Sequence, residues 1–152
     1  MINLAGGKRD VKYNIFVFMN ISTEVLPEET LAQVFHMLGQ PVRIQILLTI
    51  GEQEACVCHL EARLGLRQAA ISQHLMALRD ANLVYAQREG RNIYYHLVKP
   101  GLLDVVRQVG RLTGIPDEQL NAYAQRPIAN CPCPKCNPEL DISQACDEVL
   151  NV

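Results

Sequence analysis

Residues 54–80, EACVCHLEARLGLRQAAISQHLMALRD, decide the fold. A first helical run, 54–64, stops at Gly65, a residue that tolerates the left-handed conformation often needed just past a helix end. A second run, 67–80, repeats Ile71, Leu75 and Leu78 at spacings of four and three, which puts them on one buried face. Its outward side carries Arg67, Gln68, Ser72, Gln73 and His74. Beyond it, Val84–Arg88 and Asn92–Leu97 are rich in Val, Ile and Tyr and flank Glu89-Gly90-Arg91, where the glycine marks a hairpin turn. Two helices joined by a tight turn and followed by a hairpin make a winged helix-turn-helix, so the fold class is mainly α with a β-hairpin wing.

Working outward, Pro27 with Glu28 and Glu29 suits the first turn of a supporting helix, where proline loses no hydrogen bond and carboxylates meet the positive end of the dipole. Its apolar stripe is Leu31, Val34, Phe35 and Leu38, and Gly39 ends it. A second supporting helix starts at Pro41 and turns Val42, Ile46, Leu47 and Ile50 inward, Arg43 and Gln45 outward. After the hairpin, Pro100-Gly101 breaks the chain and 102–112 returns to helical spacing through Leu102, Val105, Val106, Val109 and Leu112. That stripe is wide for a terminal helix on a small domain; it packs either against a second subunit, beside the Leu31 helix, or within the monomer. Three segments result: an N-terminal extension (1–22, with Met19 an alternative start), a DNA-binding and dimerisation domain (23–115), and a Cys/Pro-rich C-terminal tail (116–152) whose 141–150 stretch has the spacing of a short helix.

The net charge of −2 argues against indiscriminate nucleic-acid affinity, but the mean hides an asymmetry. Between Leu60 and Pro100 six basic residues face three acidic ones, a local +3 where a phosphate backbone would lie. Amide, hydroxyl and imidazole side chains at Gln68, Ser72, Gln73 and His74 can address base edges in a major groove. Arg67, Arg88 and Arg91 are placed to meet phosphates, which position a protein without reading sequence. His36, His96, Met37 and Met76 stand among apolar neighbours and read as packing residues.

Six cysteines (Cys56, Cys58, Cys131, Cys133, Cys136, Cys146) accompany no secretory or membrane-spanning run, the apolar stretch Ile15–Met19 being too short for either. A reducing cytoplasm is therefore expected, where close thiols mean metal binding or redox sensing. Cys56 and Cys58 open the first helix; at i and i+2 they point roughly 200° apart, so binding both to one ion would distort the first turn and shift the reader helix behind it. Their alternative role is as small buried hydrophobes. Cys131, Cys133 and Cys136, three thiols in a proline-rich run, have little core to fill. Soft thiolates select Zn(II), Cd(II), Pb(II) or As(III) and reject calcium and magnesium. Three sulfurs suit arsenic or lead, four suit cadmium or zinc. Cys146 sits on an apolar stripe and is left out of the ligand set; His59, directly after Cys58, could join the shell, but an exposed helix histidine is the safer reading.

The CVCHL box at 56–60, the run LGLRQAAISQHLMALRDANLV at 64–84 and the hairpin REGRNIYYHL at 88–97 together resemble the ArsR/SmtB family of metal-sensing repressors, over roughly residues 27–113. The resemblance implies a homodimer that holds a palindromic operator in the metal-free state and leaves it when metal binds. It also implies that Cys56 and Cys58 are ligands. Three departures stand out. His59 replaces an acidic residue common after the second cysteine, Arg67 opens the reader helix where a serine or threonine is frequent, and residues 1–55 contain no further cysteine. Asp104 is followed by Val105 and Val106, so the Asp-x-His pair of a last-helix zinc site is missing.

The sequence thus predicts a dimeric, cytoplasmic, metal-responsive repressor of double-stranded operator DNA, with no organic cofactor, no membrane contact and no enzymatic activity. The predicted inducer ligands are Cys56, Cys58, Cys131, Cys133 and Cys136. A close rival keeps the DNA reader but makes the thiols a redox switch. A rival of another class, a thiol oxidoreductase using Cys133-x-x-Cys136, lacks the preceding strand pattern such a motif needs.

Overall fold

The computed structural model describes residues 26–136 and 138. The extension at 1–22, the Met19 start, the 141–150 helix and Cys146 lie outside the described residues. Helix α1 (Pro27–Leu38) and helix α2 (Pro41–Ile50) begin where the sequence places them, each with proline in the first turn. The end of α2 is buried on every side, through Ile46, Leu47, Leu48, Thr49 and Ile50. The one polar group there is satisfied locally, since the Thr49 hydroxyl donates to the Gln45 carbonyl at 2.8 Å. Around this end collect Leu60, Ile71, Leu75, Leu78, Val84, Leu97 and Leu103, the core of the molecule.

The expected helix over 54–64 is shorter than its pattern. Ala55–Cys56 form a two-residue strand, β1, and helix α3 spans Val57–Leu64. Strand β1 is captured by the hairpin, formed by β2 (Val84–Glu89) and β3 (Asn92–Leu97), in an antiparallel sheet of order β1-β3-β2. Ala55 pairs with Tyr95 and Cys56 with Tyr94. This pairing joins residues far apart in sequence, so no local period announces it. Gly65 closes α3 at φ 65°, its N–H bonded to the Glu61 carbonyl at 2.8 Å. Helix α4 (Gln68–Asp80) follows with Ile71, Leu75 and Leu78 buried, as the spacing predicts. Gly90, at φ 60°, and Arg91 make the two-residue turn of the wing.

Helix α5 (Leu102–Leu112) divides its apolar residues. Leu103 is buried, whereas Val105, Val109 and Leu112 are 43%, 49% and 78% exposed. Leu31 and Phe35 of α1 are likewise 57% and 56% exposed, so this chain alone does not cover either stripe. Helix α6 (Asp117–Asn121) and a 3-10 turn (Ala122–Ala124) then pack back on α2 and α5. A Cβ on Gly110 would lie 2.8 Å from Leu120 Cδ1, so the missing side chain lets α6 come close. Met76 is not core filler: it is 62% exposed, one position beyond the buried Leu75 on α4. Arg43 and Gln45 are half-buried rather than fully outward; Arg43 donates to the Met37 carbonyl at 3.3 Å and Gln45 to the Tyr123 hydroxyl at 3.4 Å. Among the described residues no helix is long and apolar enough to cross a membrane.

Candidate metal centre and nucleic-acid interface

Beyond α6 the chain is strapped to the helix-turn-helix by arginines. The Arg63 guanidinium donates to the Gln125 carbonyl, and that of Arg126 donates to the carbonyls of Glu54 and Thr49. These bonds bring the proline-rich run onto β1 and α3. There the backbone tightens twice, with the Cys131 N–H on the Ile128 carbonyl and the Cys136 N–H on the Cys133 carbonyl, both at 3.1 Å. Cys131, Cys133 and Cys136 are 1%, 1% and 6% exposed and share a cluster with Cys56, Cys58 and Tyr94. The sequence-predicted thiols of the box and of the tail therefore meet within one chain.

His59 overturns its sequence reading. It is fully buried, with Nδ1 3.1 Å from Cys136 Sγ, and its Nε2 has no hydrogen-bond partner. The ligand atoms of His59, Cys131, Cys133 and Cys136 all lie within 4.8 Å of one another. The strand at Ala55–Cys56 explains the change: helix α3 starts at Val57, three residues after the expected start, and its first turn, held by a hydrogen bond from the His59 N–H to Cys56 Sγ at 3.4 Å, faces the incoming tail. Cys58 is buried in the same cluster and is disulfide-bonded.

Packing free thiols this tightly forces them to share charge. Hydrogen bonds from Cys131 and Cys56 hold the Cys133 thiol well below the usual range, against burial. Cys131 is correspondingly raised, first by its bond to Cys133, and Cys136 is raised by burial. Cys56 is pushed up to about 12: contact with Cys131 lowers it, but contact with Cys133, burial and the Cys133 charge raise it by more. The cluster thus resembles one thiolate ringed by thiols, a donor set suited to a soft cation.

On the candidate DNA-facing surface, Arg67, Ser72 and Gln73 are exposed at and just beyond the start of α4, and Arg88 and Arg91 are exposed on the wing. Gln68 and His74 are half-buried at the flanks of that face. At about 100° per residue the middle of the outward side falls between Ala69, Gln73 and Met76, so two apolar side chains share it with the polar ones. Sequence reading passed over Ala69 and Met76 because apolar residues were assigned to the core.

Residues 40–86 match the model described as bacterial regulatory protein, arsR family. NolR from Sinorhizobium fredii, a solved structure, is 30% identical to this chain, which covers 97% of it; 60% of this chain is aligned, with a TM-score of 0.53. The chain belongs to the arsR family. Among curated relatives it is 35% identical over 81 residues to a transcriptional repressor SmtB homolog of Synechocystis, and 42% identical over 65 residues to the arsenic resistance transcriptional regulator ArsR1 of Pseudomonas putida. These alignments use 53% and 42% of this chain and span 61% and 51% of the two relatives. This arsR-family chain is accordingly a DNA-binding transcriptional regulator and not an enzyme.

The family match contains the reader helix, Cys56 and His59, but the thiol-bearing tail lies beyond it. What joins the two is Lys135, between Cys133 and Cys136. Its Nζ reaches Glu54 Oε1 at 2.5 Å and Glu89 Oε2 at 3.0 Å, and sits 4.0 Å over the Tyr94 ring. Burial works against its charge, but the two carboxylates outweigh it and raise its pKa. Glu89 closes β2 next to Arg88, so the tail loop holds the turn end of the wing directly. Neither Lys135 nor Glu54 figured in the sequence reading, since only the folded tail brings them together.

Proposed function

We propose that this arsR-family chain is a homodimeric repressor that binds operator DNA through Ser72, Gln73, Gln68 and His74, with Arg67, Arg88 and Arg91 on phosphates, and leaves it when a thiophilic ion enters the thiol cluster. The observation that carries the reading is the burial of Cys131, Cys133 and Cys136 against the first turn of α3, the helix that supports the reader. Apart from Tyr94, the buried members of this cluster are all cysteines, and an ion there would tighten the tail on α3. Cys56 and Cys58 belong to the same cluster, and the 23–115 division becomes a DNA-binding and dimerisation unit on which the tail acts. The exposed stripes of α1 and α5 support the dimer, because apolar residues such as Phe35 and Leu112 are otherwise left to water. Arsenite, cadmium, lead and zinc all fit the chemistry of the donors.

Lys135 offers the route from ion to DNA. An ion that draws Cys133 and Cys136 together moves the residue between them, and with it the Glu89 end of the wing. The deciding experiment measures operator binding by the reduced protein during titration with the four ions, repeated on a chain truncated after Arg126. Release of the full chain but not of the truncated one supports the reading; no release by any ion defeats it.

One observation favours a second reading, release on oxidation: Cys58 is disulfide-bonded. Peroxide-induced operator release in chelated, metal-free buffer, reversed by a dithiol, would establish it in place of the ion.

A further inference from the structure

We infer that the ion site is a closed four-donor centre made by His59 Nδ1 with Cys131, Cys133 and Cys136, and that Cys56 stands outside it. The inference rests on the metal-responsive reading and gives that site its ligand set and its class of ion. Four observations lead to it. The donor atoms of these four residues are mutually within 4.8 Å, a set that does not include Cys56. His59 is wholly buried, yet its Nδ1 faces only sulfur and its Nε2 faces no partner, so the ring has none of the nitrogen or oxygen hydrogen bonds that normally accompany burial. Coordination at Nδ1 would turn its sulfur contact into a shared bond to the ion, with the ring proton left on Nε2. Cys56 touches Cys131 and Cys133 but already serves α3 as the acceptor of the His59 N–H at the helix N-cap, so its sulfur is engaged by the backbone. Finally, all four candidate ligands are buried, so four donors around a tetrahedral ion would hold it away from water.

Three thiolates and one imidazole in a closed shell are the donors of a tetrahedral zinc or cadmium site. Trivalent arsenic takes three sulfurs in a pyramid, which Cys131, Cys133 and Cys136 would supply by themselves, and gains nothing from the ring. The geometry therefore points to a divalent, tetrahedral, borderline-soft ion. The donor histidine is the residue that directly follows the paired cysteines of the box, and the sulfurs come from the tail rather than from the box.

The test uses the reduced full chain without DNA. Cobalt(II) is titrated anaerobically as the probe, then displaced by zinc, and the zinc-loaded protein is examined by X-ray absorption at the metal edge. We expect intense tetrahedral cobalt bands with thiolate charge transfer, and a first shell of three sulfurs and one nitrogen. His59→Gln should weaken zinc about 100-fold or more, at or beyond the 10–100-fold range of residues that only support a ligand. His59→Cys should recover binding with an all-sulfur spectrum, and Cys56→Ser should stay within about threefold of wild type. A shell of three sulfurs alone, or zinc affinity lost in Cys56→Ser and kept in His59→Gln, overturns the assignment. The wild-type absorption spectrum needs no variant to fold, so it decides the matter even if His59→Gln does not. Operator release is a separate readout: a site with three sulfurs and one nitrogen that releases no DNA keeps this inference and removes the metal-sensing reading, and release through another shell does the reverse.

Discussion

Cys133 is the most consequential side chain in the cluster, because it holds the one thiol whose pKa is lowered while Cys131 and Cys136 are raised around it. Raised thiols are protonated at neutral pH, so an ion must displace their protons, whereas Cys133 has none to lose. Uptake should thus release about two protons per ion, and affinity should climb about 100-fold per pH unit over roughly pH 6 to 8. The sign follows from the raised groups: binding weakens as pH falls. Calorimetry in buffers of differing ionisation enthalpy counts the protons, and a count near zero would contradict the shared-charge picture. The tail trio was legible in sequence, since three cysteines among prolines have no core to fill. His59 was not: its burial depends on Cys136, 77 residues away, and nothing in the local pattern marks that return.

Among the elements, α4 and the wing follow their sequence signals closely, because spacing and turn glycines are local properties. Gly65 is the sharpest case. It sits at φ 65° with open space where a Cβ would go, so Gly65→Ala should cost about 1–2 kcal/mol from backbone conformation alone. Urea unfolding would measure that loss; an unchanged midpoint would mean the turn relaxes. The two-residue strand β1 escaped the sequence because a partner strand supplies it, and it displaced the start of α3. The tail loop is the element that matters for coupling. Lys135 and its carboxylates are partly exposed, so the ion pairs themselves add little stability, under about 1 kcal/mol. Their expected effect is on communication: Lys135→Ala should leave operator affinity of the ion-free protein nearly unchanged and shrink the ratio of affinities without and with ion. Allosteric couplings of about 1–3 kcal/mol correspond to ratios of about 5 to 150, so even a partial loss is measurable by titration. A ratio equal to wild type would show that the ion acts through α3 without the wing.

For the whole molecule, the decisive contrast is between a proposed metal centre whose four donors lie in one chain and apolar stripes that one chain leaves uncovered. The centre draws α3 and the tail of the same subunit together, whereas Leu31, Phe35, Val105, Val109 and Leu112 remain open. Sequence periodicity had found the α5 stripe without deciding where it packs. The fold divides it, sending Leu103 inward and leaving Val105, Val109 and Leu112 out. If those stripes form the dimer, a charge within them should separate the subunits without touching the thiols. Val109→Glu, on a residue 49% exposed, lets the new carboxylate reach water in the monomer and should leave its stability within about 0.5 kcal/mol. It should shift sedimentation from dimer to monomer and weaken operator binding sharply, since each half of a two-fold site then binds alone. Zinc uptake per chain should persist at wild-type affinity, because none of His59, Cys131, Cys133 and Cys136 comes from a partner. A monomer that lost the ion would mean that the centre depends on the second subunit after all. A dimer that survived the charge would move the interface away from α5.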